Sequence, residues 1–406
     1  MAGSVGIYIS VPFCKAKCTF CNFASGVFDA ERMQQYVDSL SAEICGARAS
    51  AEDLAASLPR AVDTIYFGGG TPSLLSAQQF QQIFQDLRRE FNIAGDAEIT
   101  LECAPGQLSS ETLEELQQQG MNRVSFGVQS FVNRETAAVG RLHTEQECEA
   151  EFARVRAAGV REINVDLIAG LPHQTAQSCK YSVERTIASG APHISVYLLE
   201  VDDESRLGRE MLEKGSRYSA SAVPSEDEAA EFYQQACEAL HAAGVHQYEI
   251  SNFARPGYRS RHNLKYWQRE PYIGFGLDAH SMLPAGMDSV RFANTSNLDE
   301  YLGTAVEMTP FRLHRAKPRV ATQIDIIGRD EAFEESLFLG LRLNEGVDLN
   351  HLRGQFGDAM LRSAMPALLE VQDAGLLELS ADRMRLTSHG RLVSNEVFSR
   401  LLVPAA

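Results

Sequence analysis

The sequence predicts an α/β fold built on a parallel sheet, followed by a smaller winged-helix-like α+β region. Two patterns carry that expectation. As far as Leu199, short runs of Val, Ile, Leu, Tyr and Phe alternate with polar helical stretches. Most of these runs lack a polar face, as strands covered on both sides do. Near the end of the chain, helical patterns precede a hairpin-like pair of apolar runs.

The predicted strands are Gly6–Val11, Thr64–Phe67, Glu98–Cys103, Arg123–Val128, Glu162–Ile168 and His193–Leu199. Between them lie helical segments at Asp29–Arg48, Ser76–Glu90, Ser109–Gln119, Thr144–Ala158 and Thr175–Ser189. Ser76 and Ser109 stand where an N-cap oxygen is needed, and Gly120, Gly159 and Gly190 stand at C′ positions. Strand–helix units in series imply parallel pairing with right-handed crossovers. That pattern fits either an open doubly wound sheet or an incomplete barrel, and periodicity does not separate the two.

Beyond Val201 the pattern changes. Asp202–Pro224 is polar and reads as a loop or lid, Glu226–Ala243 as a helix, and Gln247–Ile250 as a short strand. Ser251–Met282 is crowded with Gly, Pro and aromatic residues and has no period, a composition common around binding sites. From Arg329 a third region begins, with helical patterns at Asp348–Phe356 and Leu361–Ala374. Leu376–Leu379 and Met384–Leu386 then form the hairpin, and Ser394–Leu402 a last helix. The expected domains are residues 1–220, a connecting region 221–325, and 326–406.

Composition narrows the class. The 406 residues are 44% hydrophobic and 22% charged, which excludes disordered, collagenous and disulfide-scaffold proteins. A net charge of −17 opposes general binding to nucleic acid or to an anionic membrane surface. No run of apolar residues is long enough for a transmembrane segment, and MAGSVGIYIS has no basic n-region or apolar h-region. The expectation is a cytoplasmic protein whose eight cysteines are thiols or metal ligands.

Three of those cysteines carry the strongest chemical signal. Cys14, Cys18 and Cys21 sit at i, i+4 and i+7, directly after the first strand. Thiolates are preferred ligands of iron–sulfur clusters, and three of them leave one corner of a four-iron cubane open. A zinc site, or a chance grouping of core cysteines, is the alternative. Cys45, Cys103, Cys148, Cys179 and Cys237 have no metal spacing.

Gly68, Gly69, Gly70, Thr71 and Pro72 end the second strand, where successive glycines let backbone amides approach a ligand. No Gly-Lys-Ser/Thr follows, so this is not a P-loop. Glu102, Gln129 and Asp166 lie at or near the ends of later strands, with Arg141 shortly after the fourth. Polar groups converging from the carboxyl ends of several strands are the pattern of a site. Further on, His262 could ligate iron, while Tyr266 and Trp267 offer flat apolar surface. A lone histidine is also commonly a satisfied structural residue.

The CxxxCxxC triplet after a Tyr-x-x-x-Pro-Phe strand, then GGGTP, Glu102, Gln129, Arg141 and Asp166, resembles the radical S-adenosylmethionine (SAM) superfamily. The likeness is to the branch of oxygen-independent coproporphyrinogen III oxidases and runs over nearly the whole chain. It implies an incomplete (β/α)6 barrel with a C-terminal winged-helix-like domain. It further implies a 4Fe–4S cluster on Cys14, Cys18 and Cys21, whose open iron chelates SAM, with Tyr8, Phe20, Gly69, Gly70, Thr71, Glu102, Gln129, Arg141 and Asp166 around that cofactor. One-electron reduction of the sulfonium to a 5′-deoxyadenosyl radical is the implied chemistry. An electron donor such as a flavodoxin or ferredoxin is the implied partner.

Within the branch, oxidases carry a further cysteine where this chain has Phe23, and an extension before the cluster motif. The chain is more similar to the HemW-type heme chaperones, whose HNxxYW signature it matches at His262, Asn263, Tyr266 and Trp267. Ser10 departs from the histidine frequent in relatives. The resemblance implies binding of heme, or another tetrapyrrole, and transfer to a heme-accepting apo-protein. The alternative is a radical enzyme acting on coproporphyrinogen III in porphyrin biosynthesis.

Overall fold

The computed structural model describes residues 3–306 and 321–401. All six expected strands are present: β1 (Val5–Val11), β2 (Ala61–Gly69), β3 (Asn92–Cys103), β4 (Arg123–Gln129), β5 (Glu162–Ala169) and β6 (His193–Leu198). Each pairs in parallel with the next. Their spatial order follows the chain without reversal. A doubly wound sheet reverses direction at a switch point, so this order decides for barrel-type winding, with the helices on one face. Strands such as β1 are buried on both faces, as their unbroken apolar runs require.

The helices begin and end where the sequence places caps. Ser76 Oγ accepts from Gln79 N at 3.3 Å, and Ser109 Oγ from Thr112 N at 3.0 Å. Gly120, Gly159 and Gly190 have φ of +95°, +100° and +71°, the left-handed C′ conformation.

The sheet extends beyond the expected six strands. β7 (His246–Gln247) and β8 (Asn252–Ala254) add antiparallel strands outside β6. On the other side β9 (Tyr272–Phe275) pairs in parallel with β1, and β10 (His280–Ala285), β11 (Asp288–Asn294) and β12 (Ala321–Ile327) continue as an antiparallel meander. Three of these strands, β8, β9 and β10, lie wholly or partly in the stretch read as aperiodic, and the Gln247–Ile250 strand is cut short. Glu249 turns away to bridge Leu343. The Asp202–Pro224 loop is corrected in part: Arg206–Leu212 is helical, capped by Ser205 Oγ accepting from Gly208 N at 3.0 Å.

The C-terminal region has its own apolar core, including Leu337, Leu341, Leu352, Leu368 and Met384. Helices Arg329–Leu341, Leu349–Phe356 and Asp358–Asp373 pack with β13 (Val347–Asp348), β14 (Leu377–Leu379) and β15 (Arg383–Leu386), the order of a winged helix. The last helix is Ser394–Leu401; Leu402 of the expected span lies outside the described residues, as do residues 307–320 of the expected connecting region. Glu335 fastens this region to the sheet, accepting from Arg269 Nε and Arg291 Nη1 at 2.7 Å each. Among the described residues, no helix is long and apolar enough to cross a membrane.

Candidate functional site

A cavity of about 930 Å³ opens over the carboxyl ends of the parallel strands. Cys14, Cys18, Cys21, Phe20, Gly69, Gly70, Thr71, Glu102, Gln129, Arg141 and Asp166 all line it. These eleven expected cluster and cofactor residues meet in one place together with Tyr266 and Trp267, whereas Tyr8 and His262 do not line it.

The cysteine loop is held by its backbone, which leaves the sulfurs facing the cavity. Cys14 N donates to Gly26 O at 2.8 Å, Thr19 N to Val139 O at 3.1 Å, and Arg206 to Lys17 O. The glycine turn clamps the loop from below, with Gly70 N donating to Val11 O at 2.8 Å and Thr71 N to Phe13 O at 2.6 Å. A Cβ on Gly70 would lie 2.6 Å from Phe13 O and 2.9 Å from Val11 O, so only glycine fits this crossing. Thr71 Oγ1 lies 3.8 Å from Cys14 Sγ. Among the described residues no three His, Cys, Asp or Glu side chains, the cysteine triplet included, are gathered closely enough to hold a single metal ion.

Two half-buried carboxyl groups, Glu102 and Asp166, line the same cavity. Burial raises Glu102 to about 7, helped by the nearby Asp166, while the Tyr66 hydroxyl donates to Glu102 Oε1 at 2.9 Å. Burial also raises Asp166, against hydrogen bonds from Ser125 Oγ at 3.0 Å and Asn164 Nδ2 at 2.7 Å. Arg141 lies within electrostatic range of both, yet its Nε is buried without a partner. Gln129 enters at a break in the β4–β5 register with φ +67°. An orphaned guanidinium nitrogen, paired acids and a close-packed glycine turn suit a ligand with both carboxylate and cationic groups, as SAM has.

The helix Arg261–Trp267 divides its side chains between two jobs. His262 and Lys265 are buried against the barrel, while Asn263, Tyr266 and Trp267, at i, i+3 and i+4, line the cavity. Glu98 of β3 caps the helix, accepting from Arg261 N at 2.8 Å and His262 N at 3.0 Å. Lys265 Nζ pairs with Asp63 and Glu270 at 2.9 Å each.

The expected iron ligand His262 does not line the cavity. Its Nδ1 is 2.9 Å from Thr64 Oγ1 and its Nε2 is 2.9 Å from Tyr266 Oη, so neither ring nitrogen is free. Burial and the neighbouring Lys265 lower its pKa to about 3, which keeps the ring neutral. Tyr8 lines instead an adjoining cavity of about 320 Å³, with Ser10, Asp278 and His280. The two cavities share Phe23, Gly69, Gly70 and Tyr266.

The far wall of the main cavity was not foreseen from sequence. It comprises Tyr233, Glu249, Arg342 and residues 391–396 of the C-terminal region. The Arg342 guanidinium lies over the Trp267 ring, 4.4 Å from its centroid. These groups are distant in sequence and carry no spacing pattern that would have found them.

Comparison with known proteins places the geometry. The radical SAM superfamily profile matches residues 8–185, and the HemN C-terminal domain profile matches 327–393. The heme chaperone HemW of Bacillus subtilis is 32% identical, the match covering 97% of this chain and 98% of the relative. HemW of Escherichia coli is 31% identical, over 98% of each chain. The solved coproporphyrinogen III oxidase HemN of Escherichia coli, described as a radical SAM enzyme, is 22% identical with a TM-score of 0.81, covering 98% of this chain and 90% of that one, and shows the same fold. The chain belongs to the radical SAM superfamily, in the branch that holds the coproporphyrinogen III oxidases and the HemW heme chaperones, and the cofactors of that family are a 4Fe–4S cluster and SAM.

Proposed function

We propose that this chain binds heme and hands it to an acceptor apo-protein, with a 4Fe–4S cluster and SAM supporting the transfer. Cys14, Cys18 and Cys21 would hold the cluster. Phe20, Gly69, Gly70, Thr71, Glu102, Gln129, Arg141 and Asp166 would surround SAM, with Tyr8 behind the glycine turn. When bound, the cluster and SAM supply one-electron chemistry. The protein's part is to grip the ligands, orient Glu102 through Tyr66, and exclude water with the aromatic and C-terminal walls.

One observation carries the reading: a single cavity runs from the cysteine loop to the Tyr266 and Trp267 rings, with a volume at the upper end of ligand-binding sites. The full-length likeness to proteins named heme chaperones supports it. So does Phe23, 58% exposed where the oxidases carry a further cysteine. We assign residues 1–220 to the barrel, 221–325 to the connecting region and 326–406 to the wall-forming domain. A cytoplasmic setting and a flavodoxin or ferredoxin as electron donor belong to the same proposal.

The test is titration of the anaerobically reconstituted protein with heme, followed by mixing with an apo-hemoprotein. Saturable binding at micromolar protein, then movement of the Soret band to the acceptor's position, is expected. A linear, unsaturable response rejects the proposal. Anaerobic turnover of coproporphyrinogen III to protoporphyrinogen with formation of 5′-deoxyadenosine would favour the enzyme reading, which the shared oxidase fold supports.

A further inference from the structure

Charged groups of both signs line both ends of the cavity. Near the cysteines, Arg141 faces Glu102 and Asp166. On the far wall stand two more guanidinium groups, Arg342 at the end of helix Arg329–Leu341 and Arg391 in helix Ser388–Leu392. Neither makes an ion pair within 4 Å among the described residues, although the chain has a net charge of −17. Arg342 Nε is buried without any hydrogen-bond partner, while the plane of the group rests on Trp267. Arg391 donates to Leu386 O and Ser388 Oγ, both at 3.1 Å, contacts that fix its direction without an ion pair.

Both arginines lie within electrostatic range of Tyr233, so they act on one patch of the wall. The acids in electrostatic range, Glu249 and Glu200 for Arg342 and Glu378 for Arg391, form no ion pair with them within 4 Å among the described residues. Glu249 is buried and pushed above the usual carboxylate range, with Oε1 accepting from Ser251 N at 3.0 Å and from Asn252 Nδ2. Burial likewise disfavours the charged forms of Arg342 and Arg391, a cost that an incoming anion would offset. Guanidinium forks match carboxylates in bidentate geometry, and a tetrapyrrole lying along Tyr266 and Trp267 presents carboxylates at one edge.

We propose that Arg342 and Arg391 receive the propionate carboxylates of the tetrapyrrole, so that the C-terminal domain grips the acidic edge while the barrel faces the macrocycle. This rests on the heme-binding reading above. Motion of the winged-helix-like domain would then carry the acidic edge with it, which links release to that domain.

The experiment compares heme with heme dimethyl ester, whose propionates are uncharged, in Soret titrations of the full chain and of Arg342→Gln and Arg391→Gln. The unmodified protein should bind heme at least about tenfold more tightly than the diester. Each variant should lose about tenfold for heme and nothing for the diester. Equal affinity for both ligands in the unmodified protein overturns the proposal without any variant being needed. Variants that weaken both ligands alike overturn it too. Failure of the unmodified protein to bind either ligand rejects the heme-binding reading itself.

Discussion

Thr64 and His262 are joined by a 2.9 Å hydrogen bond between Oγ1 and Nδ1, which ties β2 to the helix carrying the cavity's aromatic face. His262 thereby becomes a positioning residue for Tyr266 and Trp267. Replacing it with Ala leaves the fully buried Thr64 hydroxyl unpaired and frees Tyr266 Oη. We expect a loss of about 2–4 kcal/mol in denaturant unfolding. In His262→Gln the Soret maximum of the heme-loaded protein should stay in place, since no iron ligand is lost; a displaced maximum contradicts the assignment.

The same residue sets a pH dependence. An unfolded histidine takes up its proton near pH 6.5, while the folded one resists until about pH 3. The unfolded state therefore binds more protons between those values, and stability falls as pH drops from about 6.5. The stability gap between the unmodified protein and His262→Gln should narrow from pH 7.5 to pH 5.0. A gap constant across that range would show that His262 titrates normally.

Glu102 works in the opposite direction. Its folded-state value of about 7 lies above the ordinary carboxylate range, so the folded state holds the extra proton and stability falls as pH rises from about 4.5 to 7. Glu102→Gln should remove that loss, gaining up to about 3 kcal/mol over the unmodified protein at pH 7.5 relative to pH 4.5. Thermal melts at the two pH values measure it. Addition of SAM should shrink the difference, because a cationic ligand lowers the cost of the charged carboxylate.

Gly70→Ala forces a methyl group against the Phe13 and Val11 backbone. The turn must shift away from the cysteine loop, at about 1–3 kcal/mol in unfolding free energy. Equilibrium dialysis should show weaker SAM binding as well. Wild-type affinity in a folded Gly70→Ala protein would remove the turn from the cofactor site.

Glu335 holds two arginines from the sheet side in the C-terminal region. Glu335→Ala leaves both cations without their buried partner, a change that typically costs about 3–5 kcal/mol. Hydrogen exchange should quicken across residues 327–401 before it does in β1–β6. Uniform quickening would mean that the two cores unfold together.

The barrel was readable because most of β1–β6 are apolar-rich runs and C′ glycines end the helices before β4, β5 and β6. Of the peripheral strands, β7 was foreseen in part through the Gln247–Ile250 run; β8 has three residues and β12 is exposed over most of its length, so neither length nor alternation marks them. The cluster-side residues were legible because they sit at fixed places relative to strand ends. The far wall, with Arg342, Arg391 and Glu249, arises from packing between segments far apart in sequence. For His262 the motif does not reveal that its ring meets Thr64.

The central claim is a cluster held by Cys14, Cys18 and Cys21 with one iron open to SAM, and electron paramagnetic resonance of the reduced protein tests it most directly. The account predicts a 4Fe–4S signal that changes g values when SAM is added, is lost in Cys18→Ser, and persists in Cys148→Ser. A protein without iron and acid-labile sulfide after anaerobic reconstitution, or a cluster signal indifferent to SAM, would contradict it.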